Sequence, residues 1–256
     1  WVLRRSDKDY YGLVGKEYTK KMVGLEESYA GYEFDSPDDY KLAHECAMWL
    51  KFNYAKYAPI MMSDFTRLRK GGYPSTLLHG DFRAANMVFP NENSNSFLVY
   101  DFQLLKEGNG MEDVSYCIIS SVMRENRLKY EREYLEAYYN AMKELKVDDL
   151  TWKEVLHCYL RDLYITVIMT YFGVVEYSHK DAKGVTEEGR ILIKTYLLRI
   201  NDFCKEWKWI EFMNTEYPEK LKSLDYDMPN EKLKEFIPSR YHDLLDAESS
   251  NGNSKD

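Results

Sequence analysis

Leu77-Leu78-His79-Gly80-Asp81-Phe82-Arg83-Ala84-Ala85-Asn86-Met87-Val88-Phe89, followed by Phe97-Leu98-Val99-Tyr100-Asp101-Phe102-Gln103, is the stretch whose reading decides the fold. Met87-Val88-Phe89 and Phe97 to Tyr100 are short apolar runs flanking Pro90-Asn91-Glu92-Asn93-Ser94-Asn95-Ser96, a polar stretch with Pro and Asn where a turn belongs. The pattern predicts an antiparallel hairpin. In a hairpin the start of one strand lies beside the end of the other. Asn86, just before the first strand, and Asp101, just after the second, are therefore expected at the same end. An amide oxygen and a carboxylate are hard donors, the kind magnesium takes alongside phosphate and water. Asp81 sits in the loop feeding the first strand and can reach the same end without being an obligatory ligand.

The order Asp, four residues, Asn, hairpin, Asp matches what phosphoryl transfer from a nucleotide requires. One carboxylate orients and deprotonates the attacking hydroxyl, while an amide and a second carboxylate hold magnesium. Each fragment has an ordinary reading too. Asp-Phe after an apolar strand is commonly a strand-ending turn, and His-Gly-Asp is commonly a loop in which Asp caps a backbone group. In order and joined by a hairpin, the pieces favour the chemistry. His79 is expected to hydrogen-bond backbone and hold the turn, not to transfer a proton. Arg83 suits a phosphate and a neighbouring carboxylate equally, because its fork matches both.

At these residues the chain resembles the aminoglycoside phosphotransferase and choline kinase group, and within it the ecdysteroid-kinase-like (CHK-kinase-like) branch. Asp101-Phe102-Gln103 stands where protein kinases have Asp-Phe-Gly, and Gly108-Asn109-Gly110-Met111-Glu112-Asp113-Val114-Ser115-Tyr116-Cys117-Ile118-Ile119 is similar to that branch's segment leading into a buried helix. The likeness is strong over about 77 to 122 and diffuse elsewhere. It implies an α+β, protein-kinase-like fold, mainly the helical C-terminal lobe with its catalytic-loop hairpin. It implies Asp81 as catalytic base, Asn86 and Asp101 as magnesium ligands, and ATP and Mg2+ as cofactors. His79, Arg83, Gln103 and Asp113 would support them, Asp113 either by accepting hydrogen bonds from the loop backbone or as a plain helix cap. The implied reaction is transfer of the γ-phosphoryl group to a hydroxyl of a small molecule such as an ecdysteroid, a choline-like amine or an aminoglycoside. The acceptor-binding residues are not legible.

One departure stands against the resemblance. A kinase of this fold needs an N-terminal lobe with a phosphate-covering loop and a lysine on a strand. The chain opens at Trp1, contains no Gly-x-Gly-x-x-Gly, and shows no Val/Ile-rich strand with a lysine before His79. The expectation is a fragment beginning after the nucleotide lobe; the alternative is an inactive pseudokinase acting as a binding module. A protein kinase fits less well, given Gln103 in place of glycine and no Ala-Pro-Glu segment after it.

The 256 residues suffice for one good core, and 45% hydrophobic with 15% aromatic content argues against disorder. A net charge of −8 does not favour nucleic acid or an anionic membrane as partner. Cys46, Cys117, Cys158 and Cys204 are scattered without a C-x-x-C pair, a pattern of reduced thiols in a cytoplasmic protein. Leu163 to Val175, the longest uncharged run, has 13 residues where a membrane span needs ~20, so it reads as a buried helix.

Helical spacing is expected over 7–30 and 38–58, the second opened by Ser36-Pro37-Asp38-Asp39, with a break at Gly71-Gly72-Tyr73-Pro74. After the hairpin, helices are expected over 112–123, over 127–145 with an apolar stripe of Leu128, Leu135, Tyr138, Met142 and Leu145, and from Thr151 as N-cap through Tyr177. Two more are expected over 187–213 and 230–245. Residues 1–245 then form one kinase-like lobe and 246–256 a disordered tail. Trp152, Tyr159, Tyr164, Tyr171 and Phe172 read as core more readily than as an acceptor pocket.

Overall fold

Ser36 opens the first helix, α1 (Pro37–Arg67), by accepting the Asp39 N–H on its hydroxyl at 3.1 Å, with Pro37 at the position where a missing N–H costs nothing. The computed structural model describes residues 36–67, 76–91, 96–178, 186–215 and 228–252. The helix expected over 7–30, the break at 71–74, the middle of the hairpin turn and residues 253–256 lie outside the described residues. What is described is mostly helical with two small antiparallel ribbons. It divides into two compact units. One holds, of the described residues, 65–67, 76–91, 96–163 and 228–252; the other holds 36–64, 164–178 and 186–215.

The first unit carries both ribbons. β1 (Thr76–Leu78) pairs antiparallel with β4 (Lys106–Gly108), Leu77 opposite Glu107. β2 (Met87–Val88) pairs with β3 (Leu98–Val99), Met87 opposite Val99 and Val88 opposite Leu98. The pairing lies within the two apolar runs and is shorter than they are. α2 (Met111–Ser121), α3 (Arg124–Glu144), the first part of α4 (Trp152–Ser178), α7 (Asn230–Leu233) and α8 (His242–Gly252) complete the unit. Thr151 caps α4 reciprocally: its hydroxyl accepts the Glu154 N–H at 3.2 Å while the Glu154 carboxylate accepts the Thr151 N–H at 2.7 Å. α8 runs to Gly252, beyond the point where composition predicts a tail.

On α3 the buried face differs from the expected stripe. Leu135 is buried, but Leu128 is 38% and Leu145 75% exposed, and the positions that go inside are Arg127 and Glu131. They do so because Glu131 is fully partnered. Oε1 accepts from Arg127 Nη1 and Tyr159 Oη, each at 2.9 Å; Oε2 accepts from Arg240 Nη2 at 2.5 Å and Tyr241 Oη at 2.7 Å. One carboxylate thus ties α3 to α4 and to the C-terminal segment. At the surface of the same junction Arg132 makes a two-pronged bridge to Asp243, at 3.0 and 2.8 Å, which lowers the Asp243 pKa.

His157 and Cys158 on α4 are both buried. Burial, then the positive charges of Arg161 and Lys153, pull the imidazole pKa down to about 3. Burial pushes the Cys158 thiol up to about 12. A histidine held neutral when folded, with an unfolded value near 6.5, stabilises the fold above that value and loses this as pH falls towards 3. Its contribution should decline at about 1.4 kcal/mol per pH unit across that window. Urea midpoints of His157→Leu measured from pH 7 to 4 should fall less steeply than those of the wild type, and parallel curves would refute this.

In the second unit α1 up to 64, the last part of α4, α5 (Glu187–Glu206) and α6 (Trp209–Met213) enclose Leu50, Tyr164, Val167, Tyr171, Leu197, Ile200 and Phe203, all essentially without exposure. The Tyr171 hydroxyl donates to the Ala43 carbonyl at 2.9 Å, and Trp49 Nε1 donates to Asn214 Oδ1 at 2.9 Å. The single helix expected over 187–213 is interrupted at Lys208, which takes a left-handed φ of 44°. Trp207 and Trp209 explain the break. Both indoles are fully buried, yet positions two apart point to opposite sides of one helix. Tyr159, Tyr164 and Tyr171 are core residues; the side chain of Phe172 lies outside the described residues.

Candidate active site

Between β1 and the one-turn helix Ala84–Asn86 the chain makes a sharp loop over residues 79–83. Gly80 is its pivot, with φ at +84°, a region other residues enter only at a cost. A Cβ there would also stand 2.3 Å from the Leu104 carbonyl oxygen. Asp113, in the first turn of α2, holds the loop from below: Oδ2 accepts the His79 N–H at 2.7 Å and Oδ1 the Gly80 N–H at 3.0 Å. The helix itself is capped by Gly110. Lys106 of β4 and Glu112 of α2 form a buried ion pair. Gly80→Ala should cost about 1–3 kcal/mol from the backbone strain alone. Chemical denaturation would show it as a lower midpoint, and an unchanged midpoint would contradict the packing described.

His79 uses both ring nitrogens. Nε2 lies 2.9 Å from the Tyr100 carbonyl, which only accepts, so that nitrogen carries the proton. Nδ1 then accepts the Asp81 N–H at 3.3 Å. The ring packs against Phe102, centroids 4.8 Å apart. An imidazole engaged this way braces the loop against the end of β3.

Asp81 and Asn86 are both buried, and they touch. Asn86 Nδ2 donates to the Asp81 carboxylate Oδ2 and to the Asp81 carbonyl, each at 2.8 Å. The other carboxylate oxygen, Oδ1, accepts from Arg83 Nε at 3.0 Å. This is the carboxylate pairing that the sequence allows for Arg83. Because the amide nitrogen of Asn86 faces Asp81, Oδ1 of Asn86 is turned elsewhere and has no hydrogen-bond partner among the described residues.

The ribbon brings Asp101 to the neighbourhood of Asn86 through the backbone: the Tyr100 N–H donates to the Asn86 carbonyl at 3.1 Å, and Asp101 follows directly. Asp101 takes a left-handed conformation, φ 66° and ψ 57°, uncommon for a residue with a side chain and a mark of a constrained position. It is exposed, and its Oδ2 accepts from Gln103 Nε2 at a long 3.4 Å. No direct contact joins the Asp101 side chain to Asp81 or Asn86 among the described residues. An amide oxygen and an exposed carboxylate form a donor set that suits magnesium in kind. Among the described residues no cluster of three or more His, Cys, Asp and Glu side chains is placed to hold a metal ion.

The sequence reading missed Ser121 and Tyr100, whose side chains bond to the 84–86 turn, and the buried Lys106/Glu112 pair. Nothing local marks a serine at a helix end or a tyrosine at a strand end as a loop anchor. Burial raises the thiol of Cys117, on the same helix, to about 11, opposed in part by a hydrogen bond with Ser121.

The family model of the ecdysteroid kinase-like family matches residues 14–151, which is more than half of the chain and includes every site residue described above. The chain belongs to the ecdysteroid kinase-like family. No curated protein and no solved structure matches it significantly. Within this ecdysteroid kinase-like chain, no helix among the described residues is long and apolar enough to cross a membrane.

Proposed function

We propose that this ecdysteroid kinase-like protein is an ATP- and magnesium-dependent phosphotransferase acting on a hydroxyl of a small molecule, an ecdysteroid, choline-like amine or aminoglycoside-like acceptor. The observation that carries the reading is the Asp81–Asn86 pair: one buried carboxylate directs the amide nitrogen of Asn86 towards itself and so leaves the amide oxygen for a hard ligand. Family membership supports the same class of reaction.

In this reading Asp81 orients the acceptor hydroxyl and takes its proton as the oxygen attacks. Arg83, bonded to the far oxygen of the Asp81 carboxylate, fixes that group in rotation. Asn86 and Asp101 would supply the oxygens for magnesium, which would neutralise charge on the phosphates. His79 and Asp113 hold the loop in the shape that lets the Asn86 amide donate twice to Asp81.

The test is ATP consumption by the full-length protein with a panel of ecdysteroids, choline-like amines and aminoglycosides, with and without EDTA, and phosphorylated product read by 31P NMR. The expected result is acceptor-dependent turnover that EDTA abolishes and excess Mg2+ restores. Turnover indifferent to chelation, or no acceptor stimulation across the panel, would overturn it.

A further inference from the structure

The turn Ala84–Asn86 delivers Asn86 to the ribbon, and its own hydrogen bonds are few: Asn86 N–H to the Arg83 carbonyl at 2.8 Å, and Met87 N–H to the Ala84 carbonyl. Ala84 and Ala85 are exposed, whereas Asn86 is buried. A one-turn helix of this kind, facing water, frays unless something outside it takes up its remaining backbone groups. Two side chains do. The Ser121 hydroxyl, at the last residue of α2, accepts the Ala84 N–H at 2.8 Å. The Tyr100 hydroxyl donates to the Ala85 carbonyl.

These grips fall on consecutive residues and come from different elements. Ser121 is itself fixed, since its hydroxyl lies 3.2 Å from Ser120 Oγ and hydrogen-bonds with Cys117, one helical turn back. Tyr100 is fixed by its backbone, which donates to the Asn86 carbonyl and accepts from His79 Nε2. α2 therefore holds the loop at both ends, Asp113 at residues 79–80 and Ser121 at residue 84. The segment between contains Asp81, and the residue just beyond is the turn that ends in Asn86.

We propose that Ser121 and Tyr100 are positioning residues that clamp the 84–86 turn and thereby set the Asn86 amide against Asp81. The kinetic consequence rests on the phosphotransfer reading; the clamp is a property of the loop and is measured separately. Without it the turn opens more often, and Asn86 spends less time with both of its Nδ2 hydrogens on Asp81.

The experiment uses the full chain as wild type, Ser121→Ala, Ser121→Thr and Tyr100→Phe. Amide hydrogen exchange is followed by NMR at the Ala84 N–H and the Asn86 side chain, and steady-state kinetics are measured beside it. Loss of one neutral hydrogen bond should speed Ala84 exchange in Ser121→Ala on the order of tenfold, with Ser121→Thr restoring protection. Tyr100→Phe should speed exchange of the Asn86 side chain. In Ser121→Ala and Tyr100→Phe kcat should fall by roughly the same factor while the acceptor KM stays put.

Unchanged exchange at both positions overturns the clamp, and faster exchange with unaltered kcat overturns the positioning role. A wild type lacking Asp81-dependent turnover sinks the phosphotransfer reading, while exchange at the Asn86 side chain still decides whether the clamp sets that amide. Tyr100→Phe removes a single oxygen from an exposed side chain, so the test survives even if Ser121→Ala fails to fold.

Discussion

Glu131→Ala should lower the stability of the folded chain by about 3–5 kcal/mol, the range for removing one partner of a buried charge network. The carboxylate is without exposure and receives four donors, two guanidinium and two phenol. Its removal leaves Arg127 buried without its carboxylate, and the hydroxyls of Tyr159 and Tyr241, whose protons it now accepts, lose that acceptor. The same negative charge, after burial itself, holds both phenols well above their ordinary pKa. Glu131→Gln separates shape from charge. It keeps the volume and some of the acceptors, and it should be milder than alanine. Urea or guanidinium melts at neutral pH give the comparison, with m-values checking that the denatured state is unaltered. A loss under about 1 kcal/mol for the alanine variant would mean that the junction of α3, α4 and the C-terminal segment is held by apolar packing, not by this carboxylate.

The other large effect is kinetic. Asp81→Asn should reduce acceptor-dependent kcat by about 10²–10⁴, the usual contribution of a positioned general base. The substitution is nearly isosteric. An asparagine oxygen still accepts from Asn86 Nδ2, as Oδ2 of Asp81 does now, so the loop should keep its shape and ATP binding should change little. What disappears is the proton acceptor and the negative partner of Arg83. Arg83→Gln is the informative companion: it spares the carboxylate and should cost far less in kcat. Equal turnover by wild type and Asp81→Asn, with both folded by circular dichroism, would remove Asp81 from the base role. A loss matched by an equal rise in the ATP KM would point instead to damage in binding.

Much of the local structure was legible because it is built from residues close in sequence. Ser36 and Thr151 open their helices through bonds spanning three residues, and the β2/β3 ribbon follows from two apolar runs around one polar turn. Asp81 and Asn86 could be paired on paper for the same reason, being separated by one short loop. The helix break at Lys208 was hidden because helical periodicity over 187–213 reads through it; only the burial of both neighbouring tryptophans demanded a turn of the chain there.

By itself, then, the sequence determined the ribbon, the starts of α1 and α4 and the Asp-Asn-Asp pattern, since i to i+4 contacts and tight turns are encoded where they occur. The tertiary structure decided the rest. Whether Asp113 capped its own helix or gripped the loop 33 and 34 residues away depended on where α2 packs. Ser121 found Ala84 across 37 residues, and Glu131 found Tyr241 across 110. Arg127 and Glu131 lie outside the apolar stripe expected over 127–145, and they go inside because partners distant in the chain accept their charge.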